Sequence, residues 1–263
     1  MTSSLHHDEY VVDVVQAQAL VAAQFPAWAA LPVVPVASQG TDNTIFRLGE
    51  RLALRFPRVA WAVPQVPIEY QWLPQLAPQL PAAIATPVAL GRPSADYLWP
   101  WYVYEWVAGT VLAQAPSEVI DDCVVELAGW LRALHAIPAT GGPPAGPANH
   151  GRGLPLTHPD RDGRTRVQIP HCTDACDPAV AAQFWEAAVV TPPWQLAPVW
   201  LHGDPNPGNV VVDDGHLAGV IDFGCMGVGD PAVDLLIAWV PQVSPAGRAR
   251  FRDAVGYDAA TWA

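Results

Sequence analysis

The chain has 263 residues, of which 51% are hydrophobic, enough for one large domain or two smaller lobes around a buried core. Its net charge of −12 argues against a nucleic-acid partner, because phosphate binding rewards a basic surface. No apolar run approaches the roughly 18 residues of a bilayer span, and Met1 to Glu9 lacks the basic start and apolar stretch of a secretory leader. A soluble cytoplasmic protein without a membrane partner is therefore expected.

In chain order, Asp13 to Phe25 reads as a helix from its apolar spacing. Val33 to Ala37, Thr44 to Leu48 and Arg51 to Phe56 read as three strands of an antiparallel meander, with a turn cluster at Ser38 to Asn43. Val66 to Leu76 has helical spacing, Ala85 to Leu90 and Tyr102 to Trp106 read as strands, and Asp96 to Trp101 as an aromatic-rich loop. Residues 1–106 thus form a small α+β lobe, with a hinge near Tyr104 to Gly109. In residues 107–263, Ser117 caps a long helix to about His135, and Thr140 to Asn149 is a Gly/Pro-rich loop. Pro178 to Val190, Pro231 to Val240 and Pro245 to Val255 read as helices. Val199 to Leu201, Asn209 to Val212 and Leu217 to Ile221 read as short strands.

His171, Cys172 and Cys176 lie close together, but no second cysteine pair follows to complete a four-ligand zinc site, so all four cysteines read as free thiols. All 13 basic residues are arginine, so no lysine is present to bind phosphate.

The chemistry is concentrated in three pieces: His202-Gly203-Asp204 with Asn209 five residues on, Asp222-Phe223-Gly224, and Gly229-Asp230-Pro231-Ala232 with Asp234. Asp204 follows a strand, Asn209 opens the next, and Asp222 ends a third, so three oxygen donors can converge at one end of a small sheet. Such donors suit Mg²⁺, which takes a few protein oxygens together with phosphate oxygens. Asn209 and Asp222 would hold the metal, and Asp204 would orient an attacking hydroxyl and take its proton.

This set of motifs resembles the catalytic signature of the aminoglycoside phosphotransferase family over nearly the whole chain. The resemblance implies an α+β, two-lobed protein-kinase-like fold. It implies an antiparallel-sheet N-terminal lobe for nucleotide (1–106) and a mainly helical C-terminal lobe for catalysis and substrate (107–263). It further implies Mg²⁺ and ATP or GTP as phosphoryl donor, and a small hydroxylated acceptor. The acidic balance mildly favours a cationic acceptor such as an aminosugar. Ser38, Gly40, Thr41 and Asn43 sit where that family has its nucleotide loop, though only one glycine is present. Arg55 stands where kinases place a lysine, and Glu69 is its natural partner. Glu105 and Trp106 fall in the linker whose backbone binds the purine, with the Trp106 side chain read as packing. Asp230 and Asp234 are implied to support the catalytic loop. His135 reads as a helix-end histidine facing the macrodipole, and Asn149 and Arg152 lie in a loop a substrate could reach. Family members continue for one or two helices past the point where this sequence stops.

Three other readings compete. A metabolic sugar or amino-alcohol kinase would use the same motifs. An idle nucleotide-binding module would explain the missing lysine. A phosphoesterase would want two metals close together.

Overall fold

Asp13 starts α1 (Val14–Gln24) by accepting the Gln16 amide at 2.8 Å, which satisfies a donor that a helix start leaves open. The structure, a computed structural model, describes residues 9–37 and 42–262. The expected meander forms as β1 (Val33–Pro35), β2 (Asn43–Leu48) and β3 (Leu52–Pro57), paired antiparallel. Next comes α2 (Gln65–Leu76). The strand expected at 85–90 forms, and a further short one that was not expected precedes it. β4 (Ala83–Ile84) and β5 (Pro87–Gly91) join different sheets. Between them Thr86 turns back on the Ile84 carbonyl through its hydroxyl. β6 (Trp101–Glu105) follows.

These strands form one antiparallel sheet in the order β1-β2-β3-β6-β5. Side chains on a strand alternate faces, and the sequence uses both. Leu54, Phe56, Trp101 and Val103 join Leu20 and Val21 of α1, with Tyr97 from the aromatic loop, in the main core of this half. Ala53, Tyr102 and Tyr104 point the other way and pack with Val66 of α2. By the same alternation Arg55 shares that second face, opposite Tyr102 across the β3–β6 ladder.

The remaining elements are β7 (Thr110–Val111), α3 (Ser117–Ala136), α4 (Pro159–Gln168), α5 (Pro178–Val189), β8 (Val199–Leu201), β9 (Val210–Asp213), β10 (His216–Val220), β11 (Gly227–Gly229), α6 (Pro245–Val255) and α7 (Ala259–Trp262). α4 escaped the periodicity reading because it buries no side chain; its signal is Pro159 at the first turn with Asp160 and Asp162 after it. The helix expected at 231–240 is a 3₁₀ helix, Pro231–Trp239. Its three-residue period puts Pro231, Asp234 and Ile237 in one buried row.

The chain divides into two units: residues 1–119 with 207–224, and residues 120–206 with 225–263. The line falls elsewhere than 106/107 because β7, β9 and β10 build a second sheet with β4, order β4-β10-β9-β7, which ties 207–224 to the N-terminal part. The second unit holds most of α3, α4 to α7 and a two-stranded sheet of β8 and β11. This corrects one expectation. Among the described residues, the strands before Asp204, after Asn209 and before Asp222 do not share a sheet, since β8 pairs there with β11 alone.

Candidate functional site

In the first unit, Arg55 is the centre. Its Nη1 donates to Glu69 Oε2 at 2.9 Å and to the Tyr102 hydroxyl at 3.0 Å, and its Nη2 donates to Asp222 Oδ1 at 2.9 Å. Tyr102 in turn donates its hydroxyl proton to Glu69. Arg55 and Glu69 are buried, at 7% and 2% exposure, whereas the Asp222 side chain is 47% exposed. Burial raises the Glu69 carboxyl above its usual value, outweighing the lowering by the Arg55 charge and the Tyr102 hydroxyl. Burial also acts against the Arg55 cation, but Glu69, Tyr102 and Asp222 together hold its pKa well above the usual value. Arg55 and Glu69 are therefore not the surface ion pair that sequence alone also allows.

Asp222 has φ 61°, a left-handed conformation that aspartate tolerates better than most residues. Two residues on, Gly224 is needed for space. A Cβ there would stand 2.6 Å from Gln65 Oε1 and 3.1 Å from Arg55 Nη2. Asn209 lies just before β9, and its carbonyl accepts the Ile221 amide at 2.8 Å. Val210 pairs with Val220 in the same hairpin, so Asn209 and Asp222 sit at one open end of β9–β10. A carboxylate and an amide are hard oxygen donors, which fits Mg²⁺ bound together with phosphate oxygens. Among the described residues there is no cluster of three His, Cys, Asp or Glu side chains that would make an all-protein metal cage.

Of the other nucleotide-side residues, Asn43 opens β2 opposite Pro57, and Ser38, Gly40 and Thr41 lie outside the described residues. Glu105 ends β6 with an exposed side chain. The Glu105 amide donates to the Thr86 carbonyl and the Trp106 amide to the Arg51 carbonyl, both at 2.9 Å, so these two donors are already used. Trp106 packs beside Tyr102 and Tyr104, with the Arg47 guanidinium 4.3 Å from its ring centre.

In the second unit, Asp204 sits three residues past β8, and its loop is fixed from beneath. Asp234 is fully buried and accepts the amides of His202 at 3.0 Å and Gly203 at 2.7 Å. Its Oδ2 also meets His135 Nε2 at 3.0 Å, and His135 Nδ1 meets the Tyr257 hydroxyl at 2.8 Å. His135 is therefore a buried bracket for Asp234 rather than a helix-end charge in solvent. His202, itself buried, accepts the Asp204 amide through Nδ1 at 3.2 Å. Asp230 caps the 3₁₀ helix by accepting the Ala232 amide at 2.9 Å. The Asp204 carboxylate, 43% exposed, accepts from the Asn206 amide at 3.1 Å and faces Arg152 Nη2 at 3.4 Å.

Sequence reasoning missed Tyr102. Tyr102 was legible only as a strand residue, since its role depends on the β3–β6 register.

Comparison with known proteins follows this geometry. A model of the phosphotransferase enzyme family, APH, matches residues 33–263. An aminoglycoside 3'-phosphotransferase from Escherichia coli is 29% identical over 164 residues, which is 60% of this chain and 59% of that protein. The chain thus matches less than two thirds of that relative's length. Among solved structures, the GDP and kanamycin complex of APH(2")-IIia is similar with a TM-score of 0.72 and 20% identity, covering 92% of this chain and 83% of that one. The streptomycin-ATP-APH(2")-IIa ternary complex has a TM-score of 0.62 and 16% identity, covering 95% of this chain and 86% of that one. These likenesses show the fold, which is α+β and kinase-like. Since the family model takes in residues 33–263 and with them every described strand, the chain belongs to the phosphotransferase enzyme family.

Proposed function

We propose that this protein transfers the terminal phosphoryl group of a nucleoside triphosphate to a hydroxyl of a small molecule. The observation that carries this reading is the buried Arg55, which holds Glu69 and the half-exposed Asp222 at once. A purely structural arginine needs one carboxylate. A second one, turned toward solvent, leaves a net negative charge that suits a divalent cation. Asp222 and Asn209 would hold Mg²⁺, which when bound neutralises charge on the phosphates. Arg55 supplies a fixed guanidinium for a phosphate oxygen, replacing the usual lysine.

Asp204 is the base. As the acceptor oxygen bonds to the terminal phosphorus and the bond to the leaving diphosphate breaks, Asp204 takes the hydroxyl proton. Asn206 orients its carboxylate meanwhile. Residues 1–106 serve the nucleotide and 107–263 the acceptor. The linker at Glu105 and Trp106 would take the purine through backbone groups other than these two amides, which are already used. The neighbours' GDP and ATP support a purine nucleotide donor, and their kanamycin and streptomycin support a hydroxylated acceptor. The four free cysteines suit a reducing cytoplasm.

Thermal unfolding with MgATP and MgGTP tests the reading. At a hundredfold excess over Kd the nucleotide should add about 2.7 kcal/mol of stability. Asp222→Asn should remove the magnesium-dependent part of the shift. No stabilisation by either nucleotide would overturn the proposal. Stabilisation without phosphate transfer to any acceptor would favour an idle binding module.

A further inference from the structure

The turn that joins α4 to α5 carries two of the four cysteines. A 3₁₀ turn at Ile169–His171 ends at Cys172. The Cys172 carbonyl then accepts the amides of Ala175 and Cys176, each at 2.9 Å. One such helical turn sets residues i and i+4 about 6 Å apart, within the Cα span of a disulfide. The two sulfurs already face each other, with Cys172 Sγ 3.3 Å from Cys176 Sγ. Closing them to bonding distance needs a displacement of about 1.3 Å, which side-chain rotation supplies.

The pair is asymmetric. Cys176 is exposed, whereas Cys172 is half-buried and donates its thiol to the Ile169 carbonyl at 3.0 Å. The hydrogen bond with Cys172 raises the Cys176 pKa, so Cys176 rests as the thiol at neutral pH. The hairpin around the pair is held only at its surface, since neither α4 nor α5 buries a side chain. Trp185 Nε1 donates to Asp162 at 2.7 Å, and Arg166 bonds both Asp162 and Glu186. Exposed polar contacts of this kind hold weakly, so the hairpin opens more readily than the core.

We infer that Cys172 and Cys176 form a reversible dithiol–disulfide site whose reaction partner is a low-molecular-weight disulfide. Cys176 loses its proton to solvent, and its sulfur bonds to one sulfur of the reagent. The reagent's own S–S bond breaks, and its other half leaves as a thiolate that takes up a proton. Cys172 then loses its proton, its sulfur bonds to Cys176 Sγ, and the bound half of the reagent leaves as a second thiol. Two protein thiols are oxidised, and one small disulfide is reduced to two thiols. The bridge braces the α4–α5 turn, and a reducing compartment reopens it. The inference is independent of the phosphotransfer reading.

Oxidised glutathione in excess over the reduced protein tests it, followed by acid quench and mass spectrometry. Cleavage before Asp174 separates the two cysteines, so a bridge appears as two linked peptides. The wild-type protein should lose two hydrogen masses, retain no glutathione, link Cys172 to Cys176, and regain both hydrogens with dithiothreitol. Cys172→Ser should instead keep one glutathione on Cys176, since no second thiol displaces it. A wild-type protein that stays reduced, keeps glutathione on Cys176 or forms its bridge elsewhere would overturn the site. That mapping needs no variant, so it stands even where Cys172→Ser fails to fold. Hydrogen exchange reads the brace: amides of residues 169–190 should exchange roughly tenfold more slowly in the bridged form. Equal exchange in both forms would strike down the bracing role.

Discussion

Gly203 has φ 85°, and a Cβ there would stand 2.1 Å from the Cys225 carbonyl oxygen. Backbone cannot yield as a flexible side chain can, so Gly203→Ala must shift the loop that ends in Asp204. It should cost about 1–3 kcal/mol in chemical unfolding and lower kcat more than nucleotide affinity. Arg55 gives a graded pair of tests. Arg55→Ala leaves the Glu69 charge buried without its cation and should cost about 3–5 kcal/mol. Tyr102→Phe removes one hydroxyl from the same network and should cost about 1–2 kcal/mol. Equal costs would show that the network is not organised around the guanidinium. Cys123, buried on α3, has its thiol pushed up to about 12 by burial and by Glu126. At pH 8 it lies on the protonated side, so native protein should alkylate at the exposed Cys176 and spare Cys123 until it unfolds. Arg55 and Glu69 were legible from their places on the third strand and the helix after it, and Asn209 and Asp222 from motif spacing. The bond from Arg55 to Asp222 was not, because it spans 167 positions of chain.

The element that holds the loop carrying Asp204 is the 3₁₀ helix Pro231–Trp239. It offers Asp234 to two backbone amides and one imidazole. Asp234→Asn keeps the shape but replaces one acceptor oxygen by a donor, opposite groups that themselves donate. It should destabilise the protein by about 2–4 kcal/mol and reduce transfer without abolishing nucleotide-induced stabilisation. A variant with wild-type melting would show that the loop is held by other means. Long amphipathic elements were readable in advance. α3 buries Ile120, Cys123, Val124, Leu127, Leu131 and Leu134 at three- and four-residue spacing, and its limits match the reading closely. α6 runs over the expected residues, with Ser244 capping its start and Gly256 ending it. What failed were elements without a periodic apolar face, such as α4, and two-residue strands such as β4 and β7. The residues of these strands are fixed by partners far along the chain.

For the molecule as a whole, a net charge of −12 says little about the acceptor, because the charge at Asp204 is met locally by Arg152. Fold class was legible because alternation and motif order agree along the chain. Sheet membership and the division into units were not, since strands as short as β7 to β11 carry no pairing information of their own. Among the described residues, no helix is long and apolar enough to cross a membrane. The central claim assigns proton acceptance to Asp204 and metal binding to Asn209 and Asp222. Single-turnover phosphate transfer by Asp204→Asn, measured beside its nucleotide Kd, tests this most directly. The account predicts a rate lower by about 10²–10⁴-fold with Kd changed less than about threefold. Transfer at the wild-type rate would contradict it.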